Sequence, residues 1–133
     1  MNSISTLFSK LVLLLLLSSA MLGCGGNHAP PALADANKSL ESLKLTLESW
    51  RSGNKPEALR QSKPSILVAD EDWQAGLRLV SFEVGAASQT GGTAQCIPVV
   101  LELEGPAGVQ RKAVQYAVNT SPILSVVRQE PQE

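Results

Sequence analysis

Two alternating runs joined by Gly105-Pro106-Ala107-Gly108 constrain this chain more than any other feature. Ile97, Val99, Leu101 and Leu103 alternate with Pro98, Val100, Glu102 and Glu104, and Val109 to Val118 returns after the turn. A period of two is the pattern of a strand with one buried face, and Gly and Pro between two such runs mark a reversal. With those four residues as the loop, an antiparallel register sets Val99 opposite Val114, Ile97 opposite Tyr116 and Glu102 opposite Arg111. Apolar then meets apolar on one face and opposite charges pair on the other. A slip of one residue would turn the core side chains outward. Pro98 has no N–H for a ladder, which predicts an edge position or a bulge.

Upstream of the hairpin the period is helical. Leu40, Leu43, Leu47 and Trp50 recur at spacings of three, four and three, while Lys38, Glu41, Lys44, Glu48 and Arg51 occupy other faces. This predicts a helix over 35–52, capped by Asp35 or Asn37 and stopped by Gly53. A shorter helix is expected from Pro56 to Gln61, ended by Ser62-Lys63-Pro64 because a residue before proline is pushed out of helical geometry. Ile66-Leu67-Val68 reads as a short β piece, and Asp70 to Gly76 as one helical turn or tight loop closed by glycine. Leu77 to Val84 is a strand, with Val80, Phe82 and Val84 on one face and Leu77, Leu79 and Ser81 on the other. Gly85 to Gln95 is a flexible connection. Asn119-Thr120-Ser121-Pro122 turns into a last strand from Ile123 to Arg128. Helices first and strands after give an α+β domain, with the N-terminal amphipathic helix packed on an antiparallel β-meander of about four strands. Leu43, Leu47 and Trp50 should then lie against Val99, Leu101 and Val114.

The N-terminus carries a different signal. Lys10 precedes the apolar run Leu11 to Leu17, followed by the small residues Ser18, Ser19 and Ala20. That is the layout of a secretory signal, and it falls short of the roughly 20 apolar residues of a membrane-spanning helix. Met21-Leu22-Gly23-Cys24 then resembles the lipobox of bacterial lipoproteins. The resemblance implies that Cys24 is acylated, that residues 1–23 are removed, and that the chain meets a membrane through its N-terminal lipid. Residues 24–34 would form a tether, 35–128 a single domain and 129–133 a polar tail. Gly25 stands where an aspartate marks inner-membrane retention in that family, which points to the outer membrane facing the periplasm. With Cys24 acylated, the chain's two cysteines cannot build a disulfide framework, and Cys96 reads as a small core or sheet residue.

Several chemistries are excluded or narrowed by what remains. The net charge is −1 and Lys and Arg form no cluster, so the basic stripe a nucleic acid requires is missing. His28 is the only histidine and falls in the tether, which leaves the domain without an imidazole for a triad or a zinc site. A general base would have to be a carboxylate, with Tyr116 as the only tyrosine. Glu102 is better explained as the partner of Arg111. Asp70, Glu71 and Asp72 form the densest acidic cluster, and hard cations take carboxylate oxygens. Three consecutive side chains fan out, however, and acids before Trp73 fit a helix N-terminus with the indole packed inward. Trp50 and Trp73 read as core residues first and as walls of a ligand pocket second.

The order of long helix, short helix and curved sheet, with Glu48-Ser49-Trp50-Arg51-Ser52-Gly53 leading to Pro56-Glu57-Ala58-Leu59, resembles the opening of NTF2-like and cystatin-like domains. Enzymes of the NTF2-like group use carboxylate or histidine bases inside the cone, so the resemblance implies a small-molecule site, with Asp70, Glu83 and Glu102 as the carboxylates that would correspond to such a base. Two functions follow. One is a lipid-anchored cell-envelope module that binds or scaffolds an envelope protein, with no catalytic residue, cofactor or metal. The other is an NTF2-like enzyme or small-ligand carrier using a buried carboxylate. An enclosed cavity around an isolated, buried carboxylate would separate the second from the first.

Overall fold

Asp35 opens the first helix by accepting a hydrogen bond from the Lys38 amide at 2.9 Å, one of the donors a helix start leaves without an internal partner. The computed structural model describes residues 33–89 and 92–130, all within the unit Pro31–Glu133. The lipobox, Cys24 and His28 lie outside the described residues. Helix α1 runs from Ala36 to Arg51 and buries Leu43, Leu47 and Trp50, with Leu40 at the margin. Ser39, Ser42 and Thr46 share that inner face, which lets the helix approach closely. The Ser42 and Thr46 hydroxyls donate back to the carbonyls of Lys38 and Ser42 at 2.7 Å each, so neither needs a distant partner. Gly53 ends the helix at φ +87°, a conformation that a Cβ would penalise.

The short helix expected after it is a 3-10 turn, Pro56–Arg60, that buries Pro56 and Leu59. The chain continues through β1 (Leu67–Ala69), the single-turn α2 (Glu71–Gln74), β2 (Arg78–Val84), β3 (Gln95–Gly105), β4 (Gly108–Asn119) and β5 (Ser125–Gln129). These make one five-stranded sheet in the order β1-β5-β4-β3-β2. The expected α+β arrangement of a helix on a sheet holds, with five strands rather than about four and one parallel pair among the antiparallel ones. Leu67–Ala69, one residue on from the expected β piece Ile66-Leu67-Val68, is an edge strand, and it pairs parallel to β5 with Val68 beside Val126. A parallel partner requires a long crossover, and the whole β2–β4 meander serves as that connection.

The central hairpin has the expected register along its full length, including Val99 opposite Val114 and Ile97 opposite Tyr116. Pairing continues to Gly105 and Gly108, so Pro106 and Ala107 alone form the loop. Glu102 and Arg111 are opposite one another, but they are not an ion pair. Ser81 Oγ donates to Glu102 at 2.8 Å, while Arg111 reaches Glu83 at 3.3 Å. Ser81 faces Glu102 directly across the β2–β3 pair, and the long Arg111 side chain extends across to β2.

Strand β2 departs from strict alternation. Leu79 pairs with Leu103, Ser81 with Glu102 and Phe82 with Leu101, so Val80 is an extra residue. The bulge reverses the phase. Leu79, Phe82 and Val84 therefore share the core face, although sequence alternation separates Leu79 from the other two. Pro98 lies in an interior strand rather than at an edge. Its carbonyl accepts from the Gly85 amide at 2.8 Å, just past the end of β2. Since a residue's N and O point to the same side of a strand, the missing N–H faces the irregular stretch between the Gly85–Pro98 bond and the Ser88–Cys96 bridge, where regular pairing is interrupted. The core lies between α1 and one sheet face, built on Leu43, Leu47, Ile97, Val99, Leu101 and Val126, all at most 2% exposed.

Candidate functional site

Asp70 closes the gap between β1 and α2 and caps the helix by accepting from the Trp73 amide at 3.1 Å. Its side chain is 1% exposed, which would be costly for a lone carboxylate. Two residues from β4 and β5 remove that cost. Tyr116 donates its hydroxyl hydrogen to Asp70 Oδ2 at 2.5 Å, and Arg128 Nη1 donates to Asp70 Oδ1 at 3.2 Å. Arg128 also bonds to Asp72 Oδ2, which takes a further hydrogen bond from Lys112 Nζ at 3.1 Å. Tyr116 and Arg128 face each other across the β4–β5 pair, and so present both donors at one place.

The charges reinforce this arrangement. Partial burial acts to raise the Asp72 carboxyl, but the hydrogen bonds and charges of Arg128 and Lys112 outweigh it and hold the group below its ordinary value. Burial, then the negative charge of Asp70 and the hydrogen bond to it, push the Tyr116 phenol far above its ordinary range. Burial works to lower the Arg128 guanidinium, yet its carboxylate partners raise it. The cluster is therefore a protonated phenol and a charged guanidinium donating to Asp70 and Asp72.

Beside this cluster lies the tryptophan pair. Trp50 and Trp73 stack with ring centroids 5.3 Å apart and planes 8° from parallel. Their indole N–H groups donate to the carbonyls of Leu77 and Asn54 at 2.8 and 2.9 Å. Both rings are buried, at 2% and 5% exposure, so they serve the core. Their edges form the floor of an open groove of about 800 Å³ whose rim includes Asn54, Lys55, Glu57 and Arg78. Smaller hollows lie beside Asp70, Arg128 and Glu130 and beside Gln115 and Gln129. Each opens to solvent.

Of the carboxylates singled out as bases, the structure brings only Asp70 to Tyr116. Glu83 and Glu102 lie on the outer sheet face, away from the core. The acidic run does not fan out as expected. Asp70 and Asp72, two positions apart, converge on Arg128, and exposed Glu71 stands aside. Arg128 and Lys112 are the residues the sequence reading missed. A signal was there: Arg128 has the parity of Leu124 and Val126, and Lys112 that of Val114 and Tyr116, so both point to the core face. Among the described residues no three His, Cys, Asp or Glu side chains gather as a metal site. None of the described helices is long and apolar enough to cross a membrane. No protein-family model, curated protein or solved structure matches the chain.

Proposed function

We propose that this chain is a lipid-anchored cell-envelope protein whose domain binds or scaffolds another envelope protein. The observation that carries this reading is the state of Asp70. A catalytic or ligand-binding carboxylate needs a lone pair aimed into an enclosed space, whereas Asp70 spends its oxygens on the Trp73 amide, the Tyr116 hydroxyl and Arg128. The concavities described above are open grooves, which suit contact with a larger surface better than retention of a small molecule. An acyl anchor at Cys24 would add to any such contact, since tethering raises the effective concentration of membrane-proximal partners. The outer membrane, facing the periplasm, is the proposed site because Gly25 follows the cysteine.

Two measurements test this. Labelled palmitate should enter the wild-type chain and fail to enter Cys24→Ser; label that persists in the variant counts against the anchor. Native mass spectrometry of the gently extracted protein should show a protein partner rather than a small-molecule adduct. The second reading, an NTF2-like enzyme or small-ligand carrier, rests on the buried Tyr116–Asp70 contact. It requires a bound small molecule that Asp70→Asn releases.

A further inference from the structure

The helix covers one face of the sheet, and the pairing registers lay out the other face row by row. One row runs Ala69, Val127, Ala117, Cys96 across β1, β5, β4 and β3. The next runs Gln129, Gln115, Pro98, and the next Ala113, Val100, Glu83. Then come Arg111, Glu102 and Ser81. On β3 and β4 the rows therefore change from uncharged residues to one row of opposite charges, followed by a row of Val109 and Glu104 in which the carboxylate is paired with Arg78 of its own chain. Ala113, Gln115 and Pro98 are exposed, and Val100 is half-buried. A bilayer surface is read by Lys, Arg and aromatic side chains, none of which lies on the uncharged rows.

We propose that this face docks on the same face of a second copy of the chain, about a two-fold axis parallel to the strands and lying between β3 and β4. The charge pattern carries the choice of partner. Such an axis keeps each row on its own row and exchanges the two strands. Arg111, which reaches Glu83 of its own chain at 3.3 Å, then also meets Glu102 of the other copy, and Glu102, which accepts from Ser81, meets its Arg111. Ala113 lies over Val100 and Ala117 over Cys96, so small residues meet small residues. The Arg111–Glu102 row is thereby complementary to itself in charge, and exposed Ala113 leaves room for Val100. Sheets packed face to face align within about 30° of each other and need short side chains for close approach. The rows across β2 to β5 span roughly 20 Å by 20 Å at ordinary strand spacing and rise, at the small end of specific interfaces. A weak, tether-assisted dimer is what that area supports. The inference rests on the reading of the domain as an interaction module and names its surface and partner.

The test is a charge exchange on the full-length chain in mild detergent, with oligomeric state read by sedimentation at high protein concentration. Wild type should dimerise, while Arg111→Glu and Glu102→Arg should each weaken self-association by about tenfold or more, because like charges then face each other. Mixing those two variants should restore dimers, and only mixed ones, since every cross-copy contact is again between opposite charges. A contact confined to one chain cannot produce that rescue. Ala113→Arg, a change at an exposed position, should also give monomers, with an unchanged thermal melt showing that the fold is intact. A monomeric wild type overturns the proposal, as do single variants that dimerise like wild type or a mixture that stays monomeric. Acylation is read separately by palmitate. A labelled monomer would sink the dimer alone, and an unlabelled dimer would sink the anchor alone.

Discussion

Tyr116 in the middle of β4 donates to Asp70 at the start of α2 across 2.5 Å, joining two residues 46 positions apart. Tyr116→Phe removes this donor and keeps the ring, so Asp70 loses one buried partner and the domain should lose about 1–3 kcal/mol. Arg128→Met should cost more, about 3–5 kcal/mol, because it leaves two carboxylates without their shared cation. Urea denaturation of both variants checks the ranking, and a smaller loss for Arg128→Met would show that the carboxylates find other partners.

Acid should weaken the same cluster. Asp72 is held below its ordinary value of 3.8 in the folded protein by Arg128 and Lys112, against the effect of partial burial. A carboxyl lowered on folding contributes stability that is complete above the unfolded value and is lost as pH falls through the folded one. The denaturation midpoint should therefore hold steady through mildly acidic pH and drop below pH 3.8. In Asp72→Asn that portion of the acid dependence should be absent.

Leu47, 1% exposed at the centre of the α1 face, reports on the helix–sheet core. Leu47→Ala should destabilise by about 2–5 kcal/mol, whereas Leu45→Ala, at an exposed position of the same helix, should change stability by less than about 0.5 kcal/mol. Denaturant melts of the two would expose a helix packed on a different face.

Gly85 and Gly105 offer a sharper comparison. A Cβ on Gly85 would lie 2.7 Å from Pro98 Cγ and 3.2 Å from the Pro98 carbonyl oxygen, a ring and a backbone atom that cannot swing away. On Gly105 the obstacle is only Leu77 Cδ2 at 2.5 Å, the end of a flexible side chain. Gly85→Ala should cost about 1–3 kcal/mol and Gly105→Ala less, in the manner of overpacked sites. Adding Pro98→Ala to Gly85→Ala should recover part of the loss, and thermal melts of the double mutant decide it.

What the sequence determined by itself was local or pairwise. The start of α1 at Asp35 or Asn37, its stop at Gly53, its buried stripe and the register of the β3–β4 hairpin all follow from residues a few positions apart, or from two runs joined by one short turn. In each case helical or strand periodicity leaves only one arrangement that buries the apolar set. The Val80 bulge was not legible, because an extra residue in a strand is revealed only by the partner it fails to match. The parallel β1–β5 pair was hidden for a related reason: its two short strands lie far apart in sequence, and only the closed meander brings them together. The site shows the same division. Asp70 and Tyr116 could be named singly as a candidate carboxylate and tyrosine, and Trp73 as inward-facing. Their convergence with Arg128, Asp72 and Lys112 was decided by tertiary structure alone, since burial of a carboxylate selects whichever donors the fold delivers to it.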